Sequence, residues 1–251
     1  MSLIWVASHA LKSGRTFYPK TSSGPVIYST STEWDDRHCR FDVRLAKTRG
    51  EQDLALSLIN KMYDWRGYGS SHRIPRASSY STFLASMDGT AMGTITLGVD
   101  SDAGLAADTL FAQDIDVFRR APGASVCELI KFAFDSDFQS RQILASLFHI
   151  VFLYGMRHYS CTDLFIEVNP RHRRFYEAML GFSPIGAVKI NPAVNAPAQL
   201  MHLKVSEIAA GIAGCTSRPP SSRTRSLYPL FLSHTDAQRV DQRITEPEFA
   251  N

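Results

Sequence analysis

Glu128 sits inside the run V-C-E-L-I-K-F-A-F (Val126–Phe134), where Lys131 is the only other charged residue. Burying a carboxylate among apolar neighbours costs free energy, so the group needs a partner or a task. In an extended chain Cys127 and Leu129 point to one side and Glu128 to the other. A carboxylate so placed suits proton transfer; the plain alternative is a buried ion pair with Lys131 or an arginine. Arg171, His172, Arg173 and Arg174 crowd the first turn of a predicted helix, where the helix dipole disfavours cations. The conflict fits either an anion met by these side chains or a solvated basic surface. Asn169, just ahead, either caps that helix or hydrogen-bonds a substrate. Phe175 and Tyr176 either pack the helix on a sheet or border a channel.

Other chemistries have less support. The four cysteines (Cys39, Cys127, Cys161, Cys215) form no C-x-x-C pair, so neither a metal site nor a redox dithiol is expected. Scattered thiols suit a reducing compartment. With 27 basic and 24 acidic residues the net charge is +3, which argues against a dedicated nucleic-acid binder. The most apolar segment, Ile143–Met156, contains His149 and falls short of the roughly 20 residues of a membrane span. It reads as a buried helix, and His149 as a satisfied core histidine. No basic stretch precedes the apolar residues of the N-terminus, so no signal peptide is expected. The expected location is cytoplasmic.

These residues need elements to hold them. FDVRLA (Phe41–Ala46) alternates as a strand does. Leu54, Leu58, Met62 and Trp65 share one face of a helix over Glu51–Trp65. Ser81–Met87 and Thr90–Val99 flank Asp88-Gly89, a hairpin with a tight turn. Ser125–Asp135 is a strand, Arg141–His158 a long helix, Thr162–Asn169 a strand, and His172–Leu180 a helix ended by Gly181. Val188–Ile190 and Gln199–Val205 supply final strands. The order β-α-β-β-(long connection)-β-α-β-α-β-β gives an α/β fold, a mixed sheet with helices on both faces. The patterned body is 41–205. Residues 1–40 and the Pro- and Ser-containing 206–251 read as loosely attached extensions.

The block C-T-D-L-F-I-E-V-N-P-R-H-R-R-F-Y-E-A-M-L-G-F (Cys161–Phe182) resembles the acetyltransferase-like (GNAT) superfamily. There a strand ending in Asn precedes a helix bearing a Tyr, then Gly-Phe. Upstream, Gly93–Asp135 resembles the N-acyl amino acid synthase (FeeM-type) family, related to acyl-homoserine-lactone synthases. The matches are Gly93, Thr94, Leu97, Asp100, Ser101, Gly104, Leu105, Asp108, Phe111, Glu128 and Ala133. Lys131 departs from the family's usual Arg and loses its bidentate fork. The glycine-rich turn that meets the CoA pyrophosphate in acetyl-CoA-dependent relatives is replaced by Gln139-Ser140-Arg141-Gln142-Ile143-Leu144-Ala145.

The resemblance implies transfer of a long-chain acyl group from acyl carrier protein to the α-amine of an amino acid. The donor is an acyl-phosphopantetheine thioester, with acyl-CoA as the lesser alternative. A CoA-dependent N-acetyltransferase and an inactive GNAT-like binding module are the rival readings. Under the resemblance Glu128 is the general base and Tyr176 either protonates the departing thiolate or lines the pantetheine channel. Phe132, Ala133, Phe134, Arg141, Asn169, Arg171 and Phe175 would meet the donor, and Trp65, Arg66, Tyr68 and Lys131 the acceptor. Phe132, Phe134, Phe138, Phe148 and Phe152 either wall an acyl tunnel or form plain core. Leu129–Phe134 and Leu164–Asn169 would splay apart to admit the thioester.

Overall fold

The computed structural model describes residues 24–34, 37–135, 140–216 and 225–249. Eight strands form one sheet: β1 (Val26–Trp34), β2 (Arg37–Leu45), β3 (Tyr80–Met87), β4 (Thr90–Val99), β5 (Val126–Phe134), β6 (Asp163–Val168), β7 (Ser183–Asn191) and β8 (Ala196–Lys204). Their order is β1-β2-β3-β4-β5-β6-β8-β7. Only β5 and β6 run parallel, and the long helix α3 (Arg141–Tyr159) makes the crossover between them. The β3–β4 hairpin turns at Asp88 and Gly89, both at positive φ (47° and 82°), as Asp-Gly suggested.

Helix α1 (Arg49–Asp64) starts on a reciprocal cap between Thr48 and Glu51. It lays Ala55, Leu58, Ile59 and Met62 on Leu84, Ala91 and Ala133. On the same side α2 (Asp108–Arg119) buries Phe111 and Ile115 against Phe165 and Leu200. The opposite face carries the larger core, with α3 over Cys127, Leu129, Phe132 and Phe134. The helix α4 (Arg173–Leu180) ends at Gly181, at φ 84°; this left-handed position favours glycine.

The described residues on both sides of 41–205 depart from the sequence expectation; residues 1–23, 217–224, 250 and 251 lie outside the described residues. The sheet begins at Val26, ahead of the expected boundary at 41, because β1 pairs with β2 from Val26↔Arg44 to Trp34↔Arg37. β1 is an edge strand rich in Ser and Thr, so it lacks the apolar alternation that marks a strand. At the other end, the described residues 206–216 and 225–249 pack on the body. Helix α5 (Val205–Thr216) follows β8 directly, and α6 (His234–Ile244) docks on α3. Leu227, Val240, Ile244 and Phe249 are buried, Tyr154 donates its hydroxyl to the Phe249 carbonyl at 3.2 Å, and the Leu232 amide donates to His149 Nδ1 at 3.0 Å. These anchors are spaced too irregularly to show as a pattern. The long connection also holds α2, which sequence reading left without an element. No helix among the described residues is long and apolar enough to cross a membrane.

Candidate active site

β5 and β6 part into a wedge, as expected from Leu129 on, but on β6 the parting starts after Phe165 rather than at Leu164, which still pairs with Cys127. β5 and β6 pair only through Val126↔Asp163, Cys127↔Leu164 and Glu128↔Phe165. Beyond that point β6 stays with β8 as far as Val168↔Gln199, while β5 stays with β4 as far as Phe134↔Gly93. The β4–β5 register slips between Thr94 and Thr96, and Lys131 takes φ 54°. A non-glycine residue there costs about 1–3 kcal/mol and tends to mark a functional constraint. The bulge re-aims the strand. Leu129 and Phe132, three positions apart, both join the α3-side core, while Ala133 turns to α1.

Glu128 lies at the closed end of the wedge and is buried. Its Oε1 accepts from the Ala106 amide at 2.7 Å, and Oε2 from the Ala107 amide at 3.1 Å. The Tyr80 hydroxyl donates to Oε1 at 3.4 Å. α2 has no side-chain cap of its own, so Glu128 supplies it from the neighbouring strand. Burial raises its pKa, while the two amides pull it down. The matched residues of the connection complete this frame. Gly104 takes φ 70° and leaves room for Asp108. Asp108 accepts from the Leu105 amide at 2.7 Å, and Arg119 ties Asp108 to Asp100. Both Glu128 oxygens are thus engaged on the α2 turn, which is a positioning geometry.

On the α1 face, the end of α1 and its following loop meet β6 and α4. Arg171 Nη2 donates to the Tyr68 hydroxyl at 2.9 Å, and its Nε to His172 Nε2 at 3.0 Å. Asn169 uses Oδ1 to accept the Arg171 amide at 3.1 Å, a cap, and Nδ2 to reach Tyr68 at 3.4 Å. Arg66 Nη1 donates to the Met62 carbonyl at 3.1 Å, but its buried Nε has no hydrogen-bond partner. The Tyr176 hydroxyl is also buried and unpartnered. Burial drives the Tyr176 pKa well above its ordinary value, and the nearby Tyr63 adds to the rise. Burial lowers Lys131 to about 8. His172 falls to about 4 through burial and the charges of Arg171 and Arg66.

The structure joins Tyr68, Asn169 and Arg171 by hydrogen bonds just past the end of β6, puts Lys131 on the parted stretch of β5, and leaves others aside. Trp65 is 55% exposed and stacks under the Arg66 guanidinium at 5.2 Å. Arg141 does not face the wedge: its Nη2 donates to the carbonyls of Arg225 and Ser226 at 2.8 and 3.0 Å. Phe175 packs edge-on to Tyr176 at 5.0 Å. His149 is a satisfied core histidine, stacked on Phe231 at 4.7 Å. On the α3 face, where β5 and β6 part, Leu129, Phe148, Phe152, Leu164, Leu180 and Phe231 help line an apolar cavity of about 40 Å³. Phe132 meets Phe148 at a tilt, ring centroids 5.4 Å apart; Phe138 falls outside the described residues. Sequence reading missed Tyr63, Tyr80 and Glu167. Glu167, buried in D-L-F-I-E-V and bound by Asn191 at 2.6 Å, carries a signal close to that of Glu128, a carboxylate among the apolar residues of a strand.

The family model for the N-acyl amino acid synthase FeeM matches residues 55–204. The chain belongs to the FeeM N-acyl amino acid synthase family. A solved FeeM N-acyl amino acid synthase from uncultured soil microbes is 30% identical, with 68% of this chain and 94% of that one aligned and a TM-score of 0.60. The acyl-homoserine-lactone synthase LasI aligns at 14% identity over 66% of this chain and 90% of its own, TM-score 0.49. The CoA-dependent acyl-homoserine-lactone synthase BjaI aligns at 12% identity over 76% and 89%, TM-score 0.48. No curated protein matches the chain.

As a member of this family the chain is an acyltransferase with a GNAT-like mixed sheet. Its wedge separates two environments. The α3 side is apolar, with little free volume. The α1 side carries cations and hydroxyls.

Proposed function

We propose that the enzyme transfers a fatty acyl group from the phosphopantetheine of acyl carrier protein to the α-amine of an amino acid. The observation that carries the choice of carrier over CoA is the cover on the first turn of α3. There Arg141 is held by the carbonyls of Arg225 and Ser226, and Gln142 donates to the Leu230 carbonyl at 2.9 Å. That turn is where related acetyltransferases hold the CoA pyrophosphate at a helix N-terminus. A carrier-borne pantetheine has a single phosphodiester and does not need it.

In this reading the thioester lies in the wedge along Phe132, Ala133 and Phe134, with its carbonyl polarised by the β5 backbone. Asn169, Phe175 and Arg171 border the pantetheine. The acceptor lies beside Arg66, Tyr68 and Lys131, under the exposed Trp65. Amine nitrogen attacks the carbonyl carbon, the C–S bond breaks, and the sulfur takes a proton. Tyr176 donates it, since its raised pKa keeps the hydroxyl protonated at neutral pH. The proton lost by the amine restores the phenol through water. A free α-amine has a pKa of about 8, so a share of it is already neutral. Glu128 is read here as positioning the α2 turn, in place of the general-base role expected from the sequence, since each of its oxygens accepts from a backbone amide of that turn.

The test is the purified full chain with lauroyl acyl carrier protein or lauroyl-CoA and each of the twenty amino acids, read by mass spectrometry. N-acyl amino acids formed faster from the carrier thioester are expected. Equal or faster turnover of lauroyl-CoA overturns the donor assignment. No acylated amine from either donor overturns the function.

A further inference from the structure

We infer that Cys127 and Cys161 form a reversible dithiol, which hydrogen peroxide oxidises to a disulfide that ties the α3–β6 turn to β5 at the closed end of the wedge.

The two cysteines are distant in sequence, so a search for C-x-x-C pairs passes over them. The fold brings them to one place. Cys127 sits on the middle of the three β5–β6 rungs, paired with Leu164. Cys161 stands just ahead of β6, where the Thr162 amide donates to the Ser125 carbonyl at 2.8 Å. The Cys127 thiol reaches across this turn and donates to the Asp163 carbonyl at 3.6 Å. Gly155 backs the other sulfur, since a Cβ there would stand 3.5 Å from Cys161 Sγ. Both side chains line the apolar cavity of about 40 Å³ under the parting strands. Both are free thiols and both are buried. Cys39 on β2 and Cys215 on α5 lie outside this lining.

The pair is asymmetric. A hydrogen bond between the two thiols lowers the Cys161 pKa and raises that of Cys127; burial adds to the rise at Cys127 and opposes the fall at Cys161. The thiolate is the reactive form, so Cys161 attacks and Cys127 resolves. Cys161 sulfur attacks a peroxide oxygen: the S–O bond forms, the O–O bond breaks, and the departing hydroxide takes the Cys161 proton to become water. Cys127 sulfur then attacks the sulfenic sulfur: the S–S bond forms, the S–O bond breaks, and a second water leaves with the Cys127 proton. Two thiols and one peroxide thus give one disulfide and two waters. The oxidant must be small. Met156, on the cavity lining, is 41% exposed, which places the cavity close to solvent.

A disulfide holds its sulfurs about 2.05 Å apart, well inside the contact distance of two thiols. Closing that gap draws the α3–β6 turn toward β5 and narrows the cavity that Leu129, Phe148 and Phe152 also line. A long acyl chain loses room there. This effect on turnover rests on the acyl-transfer reading above; the disulfide itself does not.

The test treats the full chain with hydrogen peroxide at neutral pH, blocks free thiols, and digests it without reduction. Mass spectrometry is expected to show loss of two hydrogens and a linked pair of peptides carrying Cys127 and Cys161, both reversed by dithiothreitol. Cys127→Ser, its fold checked by circular dichroism, is expected to give a dimedone adduct at Cys161. Lauroyl transfer by the wild type should fall on oxidation and return with dithiothreitol. The protein with Cys127→Ser and Cys161→Ser together should lose the sensitivity to peroxide. Absence of the 127–161 link in folded wild-type protein, or oxidation confined to Cys39 or Cys215, overturns the dithiol. A mapped link with unchanged lauroyl transfer overturns its effect on turnover. If the link forms but reduced protein transfers no lauroyl group, the dithiol stands and the acyl-transfer reading fails.

Discussion

The last rung between β5 and β6 joins Glu128 to Phe165. On one side of that rung Glu128 caps α2; on the other the two strands part. One residue thus marks both the apex of the wedge and the anchor of the helix beside it.

Glu128→Gln is expected to keep one acceptor oxygen and set an amide NH2 against a backbone N–H. The loss is about 1–3 kcal/mol of stability, with turnover reduced and the pH–rate profile unmoved. Urea unfolding and kcat/KM across pH 6–9 check it. Loss of the ascending limb of the profile with stability intact would restore the general-base role.

Tyr176→Phe removes a buried hydroxyl that has no partner. Stability should hold or rise, since no hydrogen bond is lost, while turnover falls by roughly 10²-fold. A variant that turns over normally would reduce Tyr176 to a wall of the channel.

His149 is neutral in the fold: burial takes its pKa from 6.5 to about 4. Between those values the unfolded chain binds more protons than the native one, so stability falls as pH falls through that window. Urea midpoints at pH 7.5 and 5.0 should show the loss. His149→Gln, which offers an acceptor to Leu232 without titrating, should flatten it. An unchanged pH dependence in that variant would place the acid sensitivity elsewhere, for example at His172.

Phe249→Ala tests whether the C-terminal segment is structural. Phe249 is fully buried against the core, and truncation of such a ring costs about 3–5 kcal/mol. A thermal midpoint identical to wild type would return the segment to the loosely attached extension that composition suggests.

What the sequence displays and what it hides follow from where each signal resides. Asp88-Gly89 encodes its turn locally, and Leu58 and Met62 show their helix face by spacing alone. Asn169, Tyr176 and Gly181 are legible because strand, helix and stop lie in one short block. α2 is not, because its cap comes from Glu128, distant in the chain, and only Phe111 and Ile115 are buried on it. The Lys131 bulge is silent because lysine gives no hint of a positive φ. Arg141 reads as a phosphate ligand until the 225–226 carbonyls are seen to hold it.

The wedge itself is most directly tested by hydrogen–deuterium exchange with a non-transferable lauroyl-pantetheine ether. Slowed exchange at Leu129–Phe134 of β5 and at residues 166–168 of β6, with β1 and β2 unchanged, is the expected result. Binding that protects other segments while leaving both of these strands as they were would contradict it.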